Sequence, residues 1–212
     1  CHAACANDPG SGRLSMRSLP AVFLVILIGG FAIWNATDGF QALTSEQARR
    51  LAIAAEPRTV PEIGLRDQSD RTFRLSDYGG KTIVVDFIYT RCPTVCQSMG
   101  STFRQLAERL PADNVTLLSI SFDTAHDTPE ALEEYARWHQ SDGSHWRLAR
   151  FDDRSELEAV LDAFSVVVIP DGYGGFQHNA AVHIINRDGR LARVLDYDER
   201  IEDLADAVRH SL

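Results

Sequence analysis

The chain has 212 residues, 44% of them hydrophobic, enough for one packed domain with an extension. Its formal net charge is −9 and it carries no basic stripe, which excludes a nucleic-acid partner because nothing would neutralise the phosphates.

The opening stretch "CHAACANDPGSGRLS" is small, polar and aperiodic, which predicts a disordered tail over residues 1–18. Cys1, His2 and Cys5 fall in it and read as incidental, and Met16 reads as a natural start. Residues 19–36, "LPAVFLVILIGGFAIWNA", carry no charge. They just reach the roughly 17–25 residues that cross a bilayer. Arg13 and Arg17 come before the run, Asp38 and Glu46 after it. Positive charge stays on the cytoplasmic side, so the expectation is a single-pass anchor in the inner (plasma) membrane with the rest of the chain in the periplasm. A cleaved signal peptide is the rival reading. It wants small residues before the cut, whereas Trp34-Asn35-Ala36 places a bulky ring there.

Residues 37–60 read as a linker, with a short amphipathic helix or linker over 40–55, and Pro57 and Pro61 mark the entrance to a domain at 61–212. "GLRDQSDRTFRL" reads as a hairpin. "KTIVVDFIY" is a near-continuous apolar strand, the pattern of a strand buried on both faces. From Val95 to Leu110 the period becomes helical, and Cys92, Cys96, Met99, Phe103, Leu106 and Leu110 fall on one stripe. "VTLLSISF" is the next buried strand. Asp127-Thr128-Pro129-Glu130 opens a further helix with an Asp or Thr cap, Pro in the first turn and acid near the positive end of the dipole. Then come a strand at "HWRLARF", a helix over 153–164, a hairpin from "AVHII" to "RLARVLDY" turning at Arg187-Asp188-Gly189, and a last helix over 201–212. Strands alternating with helices and ending in a hairpin predict an α/β sandwich around a mixed sheet.

Cys92 and Cys96 in "RCPTVCQSMG" stand where the first central strand meets its helix, the end of an open sheet that usually carries the chemistry. A helix N-terminus favours thiolate over thiol, Arg91 adds positive charge nearby, and Pro93 sets the first turn. The i, i+4 spacing puts both sulfurs on one face, where they can share a metal or close a disulfide. Zinc would need two more ligands. Few, soft sulfur ligands favour Cu(I), and one imidazole would make a Cys2His set that also suits Cu(II). Among the seven histidines, His178 follows the Gly-rich "IPDGYGGFQ" and precedes a strand, so it can swing toward the dithiol. His183, mid-strand in "AVHII", reads as a packing or exposed strand residue.

Three blocks together resemble the Sco/SenC family: "GLRDQSDRTFRLSDYGGKTIVVDFIYTRCPTVC", "SISFDTAHDTPEALEEY" and "HNAAVHIINRDGRL". The resemblance runs from about Pro61 to the C-terminus, with the anchor before it. It implies a thioredoxin-like (peroxiredoxin-like) fold and a copper protein of cytochrome c oxidase assembly, with Cys92, Cys96 and His178 as copper ligands and Cys92 and Cys96 also a redox pair. The implied partner is the copper A centre of oxidase subunit II, to which copper is delivered or whose thiols are kept reduced, with another periplasmic copper chaperone as a further partner. Gln97, Thr124 and His183 depart from the family's usual residues, and no ligand is removed. The cis-Pro of thioredoxin-type enzymes would fall near Ala180 and is absent. The alternative function is a periplasmic thiol-disulfide reductase or thiol peroxidase on the same fold, which would need both cysteines and not His178.

Overall fold

The structure, a computed structural model, describes residues 19–36 and 44–212. The tail with Cys1, His2 and Cys5 lies outside the described residues, as do Arg13, Arg17 and Asp38. Two compact units result, Cys1–Arg49 and Arg50–Leu212.

In the first unit, Leu19–Ala36 forms helix α1, with Phe23, Val25, Ile26, Ile28 and Phe31 exposed. Among the described residues no helix is long and apolar enough to cross a membrane. The expected membrane-spanning helix is therefore not supported, although Leu19–Ala36 is helical and uncharged.

The second unit takes in more chain than 61–212. Helix α2 is Ser45–Ala55, and its Ile53 is fully buried in the core. The strands that follow are β1 (Arg58–Thr59), β2 (Gly64–Asp67), β3 (Thr72–Arg74), β4 (Thr82–Ile88), β5 (Val115–Ser121), β6 (Trp146–Phe151), β7 (Val168–Pro170), β8 (Phe176–His178), β9 (Ala181–Ile185) and β10 (Arg190–Asp196). The helices are α3 (Val95–Arg109), α4 (Pro129–His139), α5 (Leu157–Phe164) and α6 (Ile201–Arg209). The main sheet runs β1-β10-β9-β4-β5-β6-β2-β3. β4, β5 and β6 are parallel, and β9 joins β4 antiparallel, which makes the expected mixed sheet.

All seven residues of β4 and all seven of β5 are buried, so both faces are covered and their apolar runs carry no alternation. The predicted stripe of α3 is real: Cys96, Met99, Phe103 and Leu106 face inward, and Phe103 meets Trp146 of β6 with ring centroids 5.9 Å apart. Each such fully buried side chain stabilises the fold by about 1.5–3 kcal/mol. Gly100 on the same face is required, because a Cβ there would lie 2.5 Å from the His139 ring of α4. Thr128 caps α4 by accepting from the Ala131 N–H at 3.4 Å. Asp127, the other candidate cap, has a different task described below.

His183 is 2% exposed and sits edge-on to Phe87 and Phe164 at 5.6 and 5.3 Å, a packing position. His178 differs from expectation. It is the last residue of β8 and pairs with Val168 of β7, so it lies in a ribbon separate from the main sheet rather than in a free loop. The glycines form the turn of that ribbon: Gly172 and Gly174 have φ of +79° and +90°, a region that favours glycine.

Candidate functional site

The carboxyl end of β4 continues as Tyr89-Thr90-Arg91-Cys92, and α3 begins at Val95. Thr94 is the N-cap residue of α3 but makes no side-chain capping bond. The Cys92 sulfur stands in for it, accepting from the Cys96 N–H at 3.5 Å. Both cysteines are free and buried, Cys92 5% and Cys96 0% exposed.

The two thiols are unequal. A hydrogen bond from the Cys96 thiol, with the N–H groups of Cys96 and Thr94, outweighs burial and holds Cys92 far below its ordinary value, at about 4. Cys96 is pushed up, first by donating to Cys92 and then by burial. Cys92 is therefore the thiolate and Cys96 the thiol of the reduced pair. Arg91, expected to add to this acidity, is not among its main causes. Arg91 Nη2 donates to Asp123 Oδ2 at 2.9 Å and to the Gly174 carbonyl at 3.2 Å, and lies 2.9 Å from His126 Nδ1, so its charge is engaged elsewhere. Burial alone would raise Asp123, but hydrogen bonds from His126 and Arg91 outweigh it and hold its carboxyl below the usual range.

His178 reaches the pair from the β7–β8 ribbon. Its Nε2 is 3.9 Å from Cys96 Sγ, and its ring packs against Phe122 at 5.1 Å and Tyr89 at 6.4 Å. Burial lowers its pKa against the opposing Cys92 charge, so the imidazole is neutral at pH 7 and has a lone pair to give. Its Nδ1 is buried without a hydrogen-bond partner. The fold thus brings Cys92, Cys96 and His178 together. Among the described residues no three His, Cys, Asp or Glu side chains are yet close enough together to hold a metal ion; the Cys92 sulfur accepts from the Cys96 N–H instead.

Copper fits the donors present. Two sulfurs and one neutral imidazole are the soft, nitrogen-supplemented set that suits it in both oxidation states. Metal–ligand bonds of about 2.0–2.3 Å place neighbouring donors on one ion about 3.5–4 Å apart, the spacing already found between Cys96 and His178.

Around this centre are residues the sequence did not single out. Asp127 is fully buried and accepts from the Thr90 N–H at 2.9 Å, the Thr90 hydroxyl at 2.7 Å and the Ser121 hydroxyl, tying the cysteine segment to the end of β5. Tyr135 of α4 donates to the Cys96 carbonyl. Asp86, in the middle of β4, is fully buried with no hydrogen-bond partner on either oxygen. Burial pushes its pKa up to about 7; the hydroxyl of Ser119, its register partner on β5, lies near enough to offset this in part without forming a well-aligned bond. A charged letter inside an apolar run was the available signal for Asp86. Asp127 was visible only as a cap candidate.

The described geometry has relatives. The SCO1/SenC family model matches residues 52–212. The SCO1 protein homolog of Bacillus subtilis is 26% identical over 158 residues, 70% of this chain and 82% of that protein. Bradyrhizobium japonicum ScoI, solved with copper bound, superposes with a TM-score of 0.64 at 24% identity, over 73% of this chain and 99% of that one. BsSco, a member of the Sco family of cytochrome c oxidase assembly proteins in which a disulfide switch was identified, superposes with a TM-score of 0.65 at 22% identity, over 74% of this chain and 94% of that one. Those solved chains are matched over almost their whole length by about three quarters of this chain. With three quarters of its length under the family model, the chain belongs to the SCO1/SenC family.

Proposed function

We propose that this protein is a copper-binding assembly factor for cytochrome c oxidase, with Cys92, Cys96 and His178 as its copper ligands. The observation that carries the reading is His178 Nε2 at 3.9 Å from Cys96 Sγ, beside a second, acidic thiol. A reductase needs the two sulfurs and has no use for an imidazole held against the less reactive one. Copper bound in ScoI and the assembly role attached to BsSco support it by kinship.

The acceptor in this reading is the copper A centre of oxidase subunit II, a site of thiolate and imidazole donors to which copper in a Cys2His set transfers by ligand exchange. The same sulfurs serve a second step on that acceptor. The Cys92 thiolate attacks an acceptor disulfide and forms a mixed disulfide, then Cys96 displaces the acceptor thiol. The acceptor gains two electrons and its dithiol, and Cys92–Cys96 becomes a disulfide. The reading also places the domain in the periplasm, held by α1 to the inner membrane. Support comes from the uncharged run, its exposed apolar side chains and the arginines at 13 and 17.

The test compares Cys92→Ser, Cys96→Ser and His178→Ala for Cu(II) binding and for disulfide exchange with a small disulfide. Copper binding is expected to need all three residues and exchange only the cysteines. Full Cu(II) binding by His178→Ala, with exchange intact, would favour the reductase.

A further inference from the structure

His178 owes its position to a ribbon of only three residue pairs, too short to be stable alone. Its turn is closed internally by Asp171, whose Oδ1 accepts from the N–H groups of Tyr173 at 2.7 Å and Gly175 at 2.9 Å. What aims the ribbon at the dithiol lies elsewhere. The Tyr89 hydroxyl donates to the Phe176 carbonyl at 3.2 Å and accepts from the Phe176 N–H at 3.4 Å. A single side chain thus meets both main-chain groups of the residue two before His178, as a neighbouring strand would. The Tyr89 ring also packs edge-on against the Phe176 ring at 5.3 Å. One turn further out, Arg91 Nη2 holds the Gly174 carbonyl at 3.2 Å while anchored on Asp123. The approach is close, since a Cβ on Gly175 would come within 3.4 Å of the Tyr89 hydroxyl.

Both tethers come from the segment that supplies Cys92: Tyr89 is three residues before it and Arg91 one. We propose that Tyr89 and Arg91 are positioning residues for His178, fastening the ribbon to the cysteine segment so that the imidazole stays over the sulfurs before metal arrives. This rests on the reading that His178 is a copper ligand. Without the tethers the ribbon samples open positions, and the affinity of any ligand needing His178 falls with the fraction closed. Two thiolates suffice for Cu(I), so the part of the effect that runs through His178 should appear in Cu(II) binding; the Tyr89 hydroxyl also lies within reach of the Cys92 sulfur, a contact that Arg91 lacks and that the His178→Ala background subtracts.

The experiment is a double-mutant cycle in the reduced full-length protein. Tyr89→Phe keeps the ring and removes the hydroxyl, Arg91→Gln removes the guanidinium, and each is made with and without His178→Ala. The probe is the aquo metal: Cu(II) under rapid mixing to outrun thiol oxidation, and Cu(I) against a chelator. Losing one net hydrogen bond should weaken Cu(II) binding about three- to tenfold where His178 is present. The loss should stay within about twofold where His178 is absent, and Cu(I) affinity should change by no more than that. In the metal-free protein, amide exchange of Phe176 and His178 should quicken in both variants while β4 stays protected, which shows that the fold is intact. Arg91→Lys should recover part of the loss.

Equal losses in both backgrounds, or none in either, would overturn the tether assignment alone. Unchanged Cu(II) binding in His178→Ala would overturn the ligand assignment and the inference with it, so the two failures are distinct. If Arg91→Gln does not fold, Tyr89→Phe decides by the same criteria.

Discussion

Replacing Asp86 by Asn should stabilise the protein, and increasingly so as pH rises. The carboxyl is fully buried in the centre of β4 with no partner on either oxygen, and its folded pKa is about 7. In the unfolded chain an Asp titrates near 3.9. A raised folded pKa means that the native state holds the proton longer. Stability is therefore complete below about pH 4 and is lost as pH rises toward 7. At about 1.4 kcal/mol per unit, the loss is about 1.6 kcal/mol at pH 5 and about 4 kcal/mol at pH 8. Asn has no charge to desolvate, so the gap between variant and wild type should widen by about 2–3 kcal/mol between those pH values. The ionisable groups facing Asp86 do not blur the comparison. Tyr135 and Cys96 are both pushed up, mainly by burial for Tyr135 and by its bond to Cys92 for Cys96, so both stay protonated across this range. The assay is urea unfolding of the reduced Arg50–Leu212 unit at pH 5, 6, 7 and 8. With m of about 1–3 kcal/mol/M, the midpoint difference should grow by about 1–2.5 M. A difference that stays constant from pH 5 to 8 would refute the reasoning, since it would mean that Asp86 titrates alike in both states.

Gly100→Ala gains about 1 kcal/mol of helix propensity but drives a methyl into the His139 ring, which is pinned by Tyr135 at 4.4 Å. Overpacking should win by about 1–2 kcal/mol, and the sign should reverse in a His139→Ala background; a urea midpoint that rises in both backgrounds would contradict the contact. Iodoacetamide should modify Cys92 at a rate nearly flat from pH 6 to 8, with Cys96 spared, as followed by mass spectrometry. A tenfold rise per pH unit would show an ordinary thiol. The full chain should stay with membranes through a carbonate wash and residues 50–212 alone should not, whereas release of the full chain would remove α1 as the anchor.

Much of this site was legible in the sequence because its main elements are long and periodic. β4 and β5 showed as apolar runs, and the stripe of α3 carried Cys96 into the core face where it is found. What stayed hidden depends on contacts between distant segments. The β7–β8 ribbon has three-residue strands, exposed or half-exposed throughout, around a Gly-rich turn, so it reads as loop. Tyr89 looks like the last apolar residue of a strand, and only the fold shows its hydroxyl bonded to Phe176, 87 residues on. Arg91 was read through its charge beside Cys92, but that charge answers Asp123, a partner 32 residues away.

The central claim is that Cys92 and Cys96 as free sulfurs, with His178, hold copper. The most direct measurement is a copper titration of the Arg50–Leu212 unit, fully reduced and fully oxidised, read by bound stoichiometry and by the sulfur-to-copper absorption of the Cu(II) form. The reduced unit should bind one copper per chain and show that absorption. Disulfide formation consumes both thiolates and leaves one imidazole, so the oxidised unit should bind copper at least a hundredfold more weakly, on the order of the loss of two charged ligands. Equal affinity before and after complete oxidation of Cys92 and Cys96 would contradict the account.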